Sequence, residues 1–229
     1  MKNFDEKYTP RTIQDIVYAS TAVRDAIEDI VTGVTGFPGT GKNGIIIYGT
    51  FGTGKTALAK LLPDAIESTR YGGQANYWEM FQISQGGDNG AVVINKIKAS
   101  IDKVPYASKY HYYLLDEVDN LRPDSLKSLK TVMNIGASSS IFIFTTNNIT
   151  KLDGAVISRS EVIAFNAPPS SAWLPKVRKI LADYNVTNIS DSALEAIITS
   201  SGGDAREILS NVRKLIVAYK RAINQPLTL

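Results

Sequence analysis

Apolar positions along this chain follow two alternating rhythms. Short apolar or aromatic runs, rich in β-branched residues, predict buried strands at 45–48, 77–83, 110–115, 141–145 and 162–165. Between them, apolar residues three and four apart predict helices at 21–31, 56–67, 92–103 and 125–135. In the first of these, Val23, Ile27, Ile30 and Val31 share one face. Strands alternating with helices predict a parallel sheet flanked by helices. The alternation stops at Ala167-Pro168-Pro169-Ser170-Ser171, which reads as a linker. Beyond it only helical periodicity remains, at 172–184, 190–200 and 204–223. Ser190-Asp191-Ser192 and Gly203-Asp204 supply N-terminal signals for the last two helices. The expectation is an α/β domain over 1–166 and a small all-helical domain over 167–229.

Composition adds bounds. With 229 residues, 44% of them hydrophobic, the chain can bury the core of one large domain and one small one. No apolar run approaches the length that spans a membrane, and Met1-Lys2-Asn3-Phe4-Asp5-Glu6 lacks the apolar centre of a signal peptide. A soluble intracellular protein is expected. The absence of cysteine excludes disulfides and thiolate metal sites. A formal charge of +3 is too small to demand nucleic acid, though a local basic face would matter more than the total.

Gly49-Thr50-Phe51-Gly52-Thr53-Gly54-Lys55-Thr56 fits the phosphate-binding P-loop at every required position. Its glycines let backbone N–H groups converge on phosphate oxygens. Lys55 is spaced to reach the β- and γ-phosphates, and the Thr56 hydroxyl to ligate Mg²⁺. The predicted strand before it and the predicted helix after it, opening with Ala57, give the motif its proper setting. A near-copy, Gly36-Phe37-Pro38-Gly39-Thr40-Gly41-Lys42-Asn43, ends in Asn, a poor Mg²⁺ ligand, and Gly44 follows at once. It reads as a flexible loop leading to the P-loop strand, so one nucleotide site is expected.

Tyr112-Tyr113-Leu114-Leu115-Asp116-Glu117 is an apolar strand ending in two carboxylates. In an open α/β sheet ligands bind beyond the carboxyl ends of strands, which would set both acids opposite Lys55. Asp116 suits a metal-holding role through water, and Glu117 suits orienting or deprotonating a water. Phe142-Ile143-Phe144-Thr145-Thr146-Asn147 ends a second apolar strand in an amide, which serves either as a turn former or as a holder of water or phosphate. His111, between Tyr110 and Tyr112, is best explained by strand packing, not by metal binding.

Several segments then resemble one family, the AAA+ ATPases, and within it the clamp-loader small subunits (replication factor C and its phage counterparts). Glu6-Lys7-Tyr8-Thr9-Pro10-Arg11-Thr12-Ile13-Gln14-Asp15-Ile16-Val17 resembles the family's N-terminal segment, which packs around adenine. That resemblance implies Tyr8, Ile16 and Val17 at the base. Asp116-Glu117-Val118-Asp119 resembles Walker B, Asn95-Lys96-Ile97-Lys98 a helix of the same family, and Thr146-Asn147 the sensor-1 turn. Ser158-Arg159 resembles the motif whose arginine reaches a neighbour's site, and Gly203-Asp204-Ala205-Arg206 resembles sensor 2 on the lid. Thr9 stands where the family has arginine, and Ser160 where it has cysteine.

The resemblance implies an AAA+ core with a P-loop NTPase sheet and a helical lid, ATP and Mg²⁺ as cofactors, and hydrolysis within an assembly of AAA+ subunits. Asn147 would act in cis, Arg206 from the lid, and Arg159 in trans. It further implies action on duplex or primer–template DNA in replication, with a sliding clamp or a helicase as partner. Localisation would be cytoplasmic, at the nucleoid or replication site, or in the host cytoplasm for a viral chain. Lys96, Lys98, Lys127 and Lys130 lie on the two helices that line the duplex chamber in the family; spacing alone equally describes a solvated face. The resemblance ends at Leu229 without the family's helical collar. A helicase loader or other DNA-remodelling ATPase fits the same residues. So does a nucleotide-gated scaffold with little turnover, although Glu117 argues against it.

Overall fold

A computed structural model describes residues 4–76, 78–84, 90–103 and 105–223. The chain opens with α1 (Phe4–Tyr8), a 3₁₀ turn at Ile13–Asp15 and α2 (Thr21–Thr32). There follow β1 (Gly44–Tyr48), α3 (Lys55–Tyr71), β2 (Trp78–Gln82), α4 (Ala91–Ser100), β3 (His111–Asp116) and α5 (Pro123–Ile135). The sheet is completed by β4 (Ser140–Thr146), α6 (Gly154–Ile157) and β5 (Ser160–Ala164). Three helices close the chain: α7 (Ser170–Asp183), α8 (Asp191–Ser200) and α9 (Ala205–Ala222).

The five strands form one parallel sheet in the order β2-β3-β4-β1-β5, with helices on both faces, as the alternation predicts. The three central strands are buried almost throughout, and the edge strands β2 and β5 are partly exposed. Strand side chains alternate between faces. Ile45, Ile47, Tyr112, Leu114, Ile141 and Ile143 meet Ile27 of α2 and Leu58 and Leu62 of α3. Ile46, Tyr113, Leu115, Phe142 and Phe144 meet Ile94 and Ile97 of α4 and Leu129 and Val132 of α5. Each such side chain is worth about 1.5–3 kcal/mol when fully buried, which concentrates the hydrophobic driving force on β1, β3 and β4.

A third cluster joins α7, α8 and α9 through Trp173, Val177, Ile180, Leu181, Leu194, Ile198, Ile208, Val212 and Ile216. Phe4, 1% exposed, is part of it, so α1 packs on the C-terminal helices. Its ring sits edge-on to Tyr8 and tilted against Tyr184.

Element ends depart from the sequence expectation where side chains outside the element decide. α3 continues through Ser68-Thr69-Arg70 because Arg70 reaches back to cap α2. Its Nε donates to Val31 O at 2.8 Å and Nη1 to Phe37 O at 2.6 Å, while Nη2 donates to Ile30 O. α7 starts inside the expected linker, since Pro169 takes the position just before the first turn. The start of the second expected strand, Tyr77, lies outside the described residues.

The near-copy of the P-loop is a tight hairpin turn instead of an open loop. Gly39 and Lys42 exchange two backbone hydrogen bonds of 2.9 Å, and Thr40 and Gly41 between them both have positive φ. Among the described residues, no helix is long and apolar enough to cross a membrane.

Candidate functional site

β1 runs straight into the P-loop, and α3 leaves it with its N-terminus facing the carboxyl ends of the strands. Gly54 takes a left-handed conformation, φ +97°, just before the first turn. A helix that begins on glycine leaves its first N–H groups bare, which suits an anion. Gly52, φ +77°, lies so close to Asp204 that an added Cβ would overlap that side chain. Ala205 N donates to Gly52 O at 2.9 Å, joining the start of α9 to the P-loop.

A cavity of about 330 Å³ opens between this loop, the N-terminal segment and the C-terminal helices. Phe51, Gly52, Thr53, Gly54, Lys55, Thr56 and Ala57 form its floor, and Glu117 and Asn147 one wall. Tyr8, Ile16 and Val17 line its apolar end, and Arg206 closes the side formed by α9. Gly49 and Thr50 stay behind the floor, where their carbonyls accept from Lys55 Nζ at 3.0 and 2.6 Å. Lys55 is 7% exposed. Burial lowers its pKa, and Asp116, Asp119 and Glu117 oppose that shift, so three nearby carboxylates favour the charged ammonium.

Asp116 sits behind Thr56 and accepts from its hydroxyl at 2.7 Å. The same Oδ1 accepts from Thr145 Oγ1 at 2.5 Å, and Thr145 Oγ1 accepts from Glu117 N at 3.0 Å. Thr145, which follows the apolar run of β4, therefore fixes both acids. Glu117 takes φ +57°, ψ +46°, a conformation that strains a residue bearing a Cβ. Its Oε2 accepts from Asn120 Nδ2 at 3.2 Å. Asp116 and Thr56 together offer oxygen ligands only. One carboxylate and one hydroxyl, completed by phosphate oxygens and water, suit Mg²⁺. Among the described residues, no group of three or more His, Asp or Glu side chains gathers to hold a metal without such help. His111 is fully buried, bonded to Tyr113 OH at 2.7 Å and beside Glu79 at 3.2 Å, in keeping with packing.

The apolar end of the cavity is held by polar ties outside it. Asp15 accepts from Arg11 N and Thr12 N, both at 3.0 Å, curling the segment that presents Ile16 and Val17. Those bonds, the Arg11 amide first, hold its carboxyl below the usual range. Lys176 Nζ donates to Asp15 O at 2.8 Å, and Tyr8 OH donates to Asp183 Oδ2 at 2.9 Å. Sequence reasoning missed Thr145 as a partner of Asp116, and missed Thr9, Pro10, Trp173, Lys176 and Leu209 as lining residues. Thr145 carried a signal: Leu115 pairs with Phe144, so Asp116 and Thr145 come next on neighbouring strands.

Arg159 does not line this cavity. It precedes β5 at the amino ends of the strands, one strand length, roughly 16 Å, from the P-loop. Lys96 and Lys98 on α4 and Lys127 and Lys130 on α5 are all exposed, away from the cavity, on two helices that pack on the same sheet face.

The chain is similar to replication factor C small subunits. It is 28% identical to small subunit 2 of Pyrobaculum islandicum, over 96% of this chain and 65% of that protein. It is 29% identical to the small subunit of Archaeoglobus fulgidus, over 92% of this chain and 63% of that one. The chain thus spans just under two thirds of the length of the curated relatives it matches. Among solved structures, the Thermotoga maritima RuvB Holliday junction branch migration motor shares the fold, with a TM-score of 0.69 and 13% identity over 97% of this chain and 68% of that one. The sequence profile of the ATPase family associated with various cellular activities (AAA) matches residues 45–167. Since that match spans more than half of the chain, the protein belongs to the AAA ATPase family.

Proposed function

We propose that the chain hydrolyses ATP in this cavity as one subunit of an assembly that works on DNA in replication, in the manner of a sliding-clamp loader. The observation that carries the reading is the convergence of Lys55 and Thr56 with Asp116, Glu117 and Asn147 at the carboxyl ends of the strands. The similarity to replication factor C small subunits supports the clamp-loading role. In this reading residues 1–166 bind the nucleotide and residues 167–229 form its lid.

The adenine lies at the apolar end by Tyr8, Ile16 and Val17, and the phosphates lie on the P-loop. Lys55 holds the β- and γ-phosphates by charge. Thr56 and Asp116 hold Mg²⁺, which when bound neutralises charge on the phosphate oxygens. Glu117 orients the attacking water and takes its proton, and Asn147 holds that water or a γ-oxygen in line. Arg206 follows the γ-phosphate from the lid. Arg159 is a strand length from its own cavity, which suits a residue given to a neighbouring subunit's site. Lys96, Lys98, Lys127 and Lys130 contact the phosphates of duplex or primer–template DNA.

The test is steady-state ATPase with and without primed DNA, with Lys55→Ala as the inactive control. Stimulation by a primer–template junction is the expected result. Stimulation by single strands or a helicase alone would favour a helicase loader, and no turnover in any condition would leave a nucleotide-gated scaffold.

A further inference from the structure

The Arg159 side chain is gripped within its own chain before any neighbour arrives. Nε donates to Asn134 Oδ1 at 2.7 Å, and Nη1 donates to Ala155 O at 2.9 Å. Nη1 also lies 3.5 Å from Ser158 Oγ. Nη2 has no hydrogen-bond partner among the described residues. A guanidinium is a planar fork, so fixing Nε and Nη1 fixes the direction in which Nη2 points.

The grip is itself anchored. Asn134 lies in the last turn of α5, and the carbonyl before it, Met133 O, accepts from Asn43 Nδ2 at 3.0 Å. Asn43 N and Gly44 N in turn donate to Arg159 O at 3.1 and 2.9 Å. Asn43, 3% exposed, therefore ties the end of α5 and the backbone of Arg159 to the start of β1. It is the residue that spoils the near-copy of the P-loop, and here it has work of its own.

We propose that Asn134 is a positioning residue for Arg159: its amide oxygen holds Nε so that the Nη2 edge is presented to the nucleotide of a neighbouring subunit. The proposal rests on the trans role of Arg159 given above. A long side chain ordered in advance loses no further rotamer freedom when subunits dock, and a small misplacement of a catalytic charge is costly. A purely structural role, with Arg159 capping α6 through Ala155 O, would lower thermal stability and leave turnover per folded assembly alone.

The test uses the full chain assembled with Mg-ATP and primed DNA, reading kcat, KM and thermal stability. Asn134→Ala should lower kcat by about 10–100-fold, less than Arg159→Ala, with KM for ATP changed by about twofold or less. Asn134→Asp keeps an acceptor oxygen for Nε and should hold kcat within about threefold of the parent. An excess of Glu117→Gln subunits, silent at their own sites but intact at Asn134 and Arg159, should restore turnover to Asn134→Ala subunits. It should do the same for Arg159→Ala subunits. An unchanged kcat in Asn134→Ala, or Asp failing as Ala does, overturns the proposal. Rescue of Arg159→Ala without rescue of Asn134→Ala overturns it while the trans reading stands. Failure to rescue Arg159→Ala removes the trans reading and the proposal with it.

Discussion

Glu67 shows how much one side chain can decide in this fold. Its carboxylate is 1% exposed, far from the cavity, on the face of α3 that meets β3. Lys109 N donates to both oxygens at 3.0 Å, Tyr110 N donates at 3.1 Å and Tyr112 OH at 2.9 Å. These bonds fix the turn into β3 and so the register that brings Asp116 beside Thr145. Burial first, and the carboxylate second, push the Tyr112 hydroxyl well above its ordinary pKa, so it stays a donor at any working pH. Removing Glu67 leaves two part-buried backbone donors and a buried phenol without acceptors. Glu67→Ala is therefore expected to cost about 2–4 kcal/mol in urea unfolding, and Tyr112→Phe only about 0.5–1.5 kcal/mol. A loss below about 1 kcal/mol for Glu67→Ala would mean that water takes over the carboxylate's place.

Between elements, the decisive contact is the one that seats α9 on the P-loop. Asp204 caps α9 by accepting from Arg206 N at 2.8 Å and Glu207 N at 3.2 Å, and its side chain fills the space where Gly52 has no Cβ. Gly52→Ala should strain the loop by about 1–2 kcal/mol and lift α9; on the proposed reading of the cavity this moves Arg206 off the phosphates and raises KM for ATP by about tenfold. Gly52→Ala with Asp204→Ala removes the two closest overlaps, those with the carboxylate, leaving only the Cβ of residue 204 at 2.9 Å, and should recover part of that loss; no recovery would rule out the carboxylate clash as cause. The same scale explains what could be read in advance. The central strands and the P-loop were legible because their side chains are buried from both faces or their glycines meet a fixed motif. α1 and the extension of α3 were not, since Phe4 finds its core in α7–α9 and Arg70 its partners in α2. Trp173 and Lys176 were hidden for the same reason: they become cavity residues only when α7 folds back on the N-terminal segment.

For the whole molecule, the sheet separates three surfaces. The carboxyl ends of the strands carry the cavity, the amino ends carry Arg159, and the face covered by α4 and α5 carries the four exposed lysines. A net charge of +3 spread evenly would attract nucleic acid weakly, so any strong attraction must come from such a local face. Phosphate contacts release counterions, and the logarithm of affinity then falls with the logarithm of salt concentration by about 0.9 for each phosphate neutralised. If Lys96, Lys98, Lys127 and Lys130 each meet a phosphate, replacing all four with Ala should flatten that slope by roughly 3 to 4 and weaken binding alike for every duplex sequence. Lys60, exposed on α3 against the opposite face of the sheet, is the matched control, and its replacement should leave the slope as it was. The measurement is a fluorescence-anisotropy titration of labelled primer–template at several salt concentrations with saturating ATP. A slope unchanged by the fourfold replacement would return these lysines to the role of a solvated helix face and move the DNA contact elsewhere on the subunit.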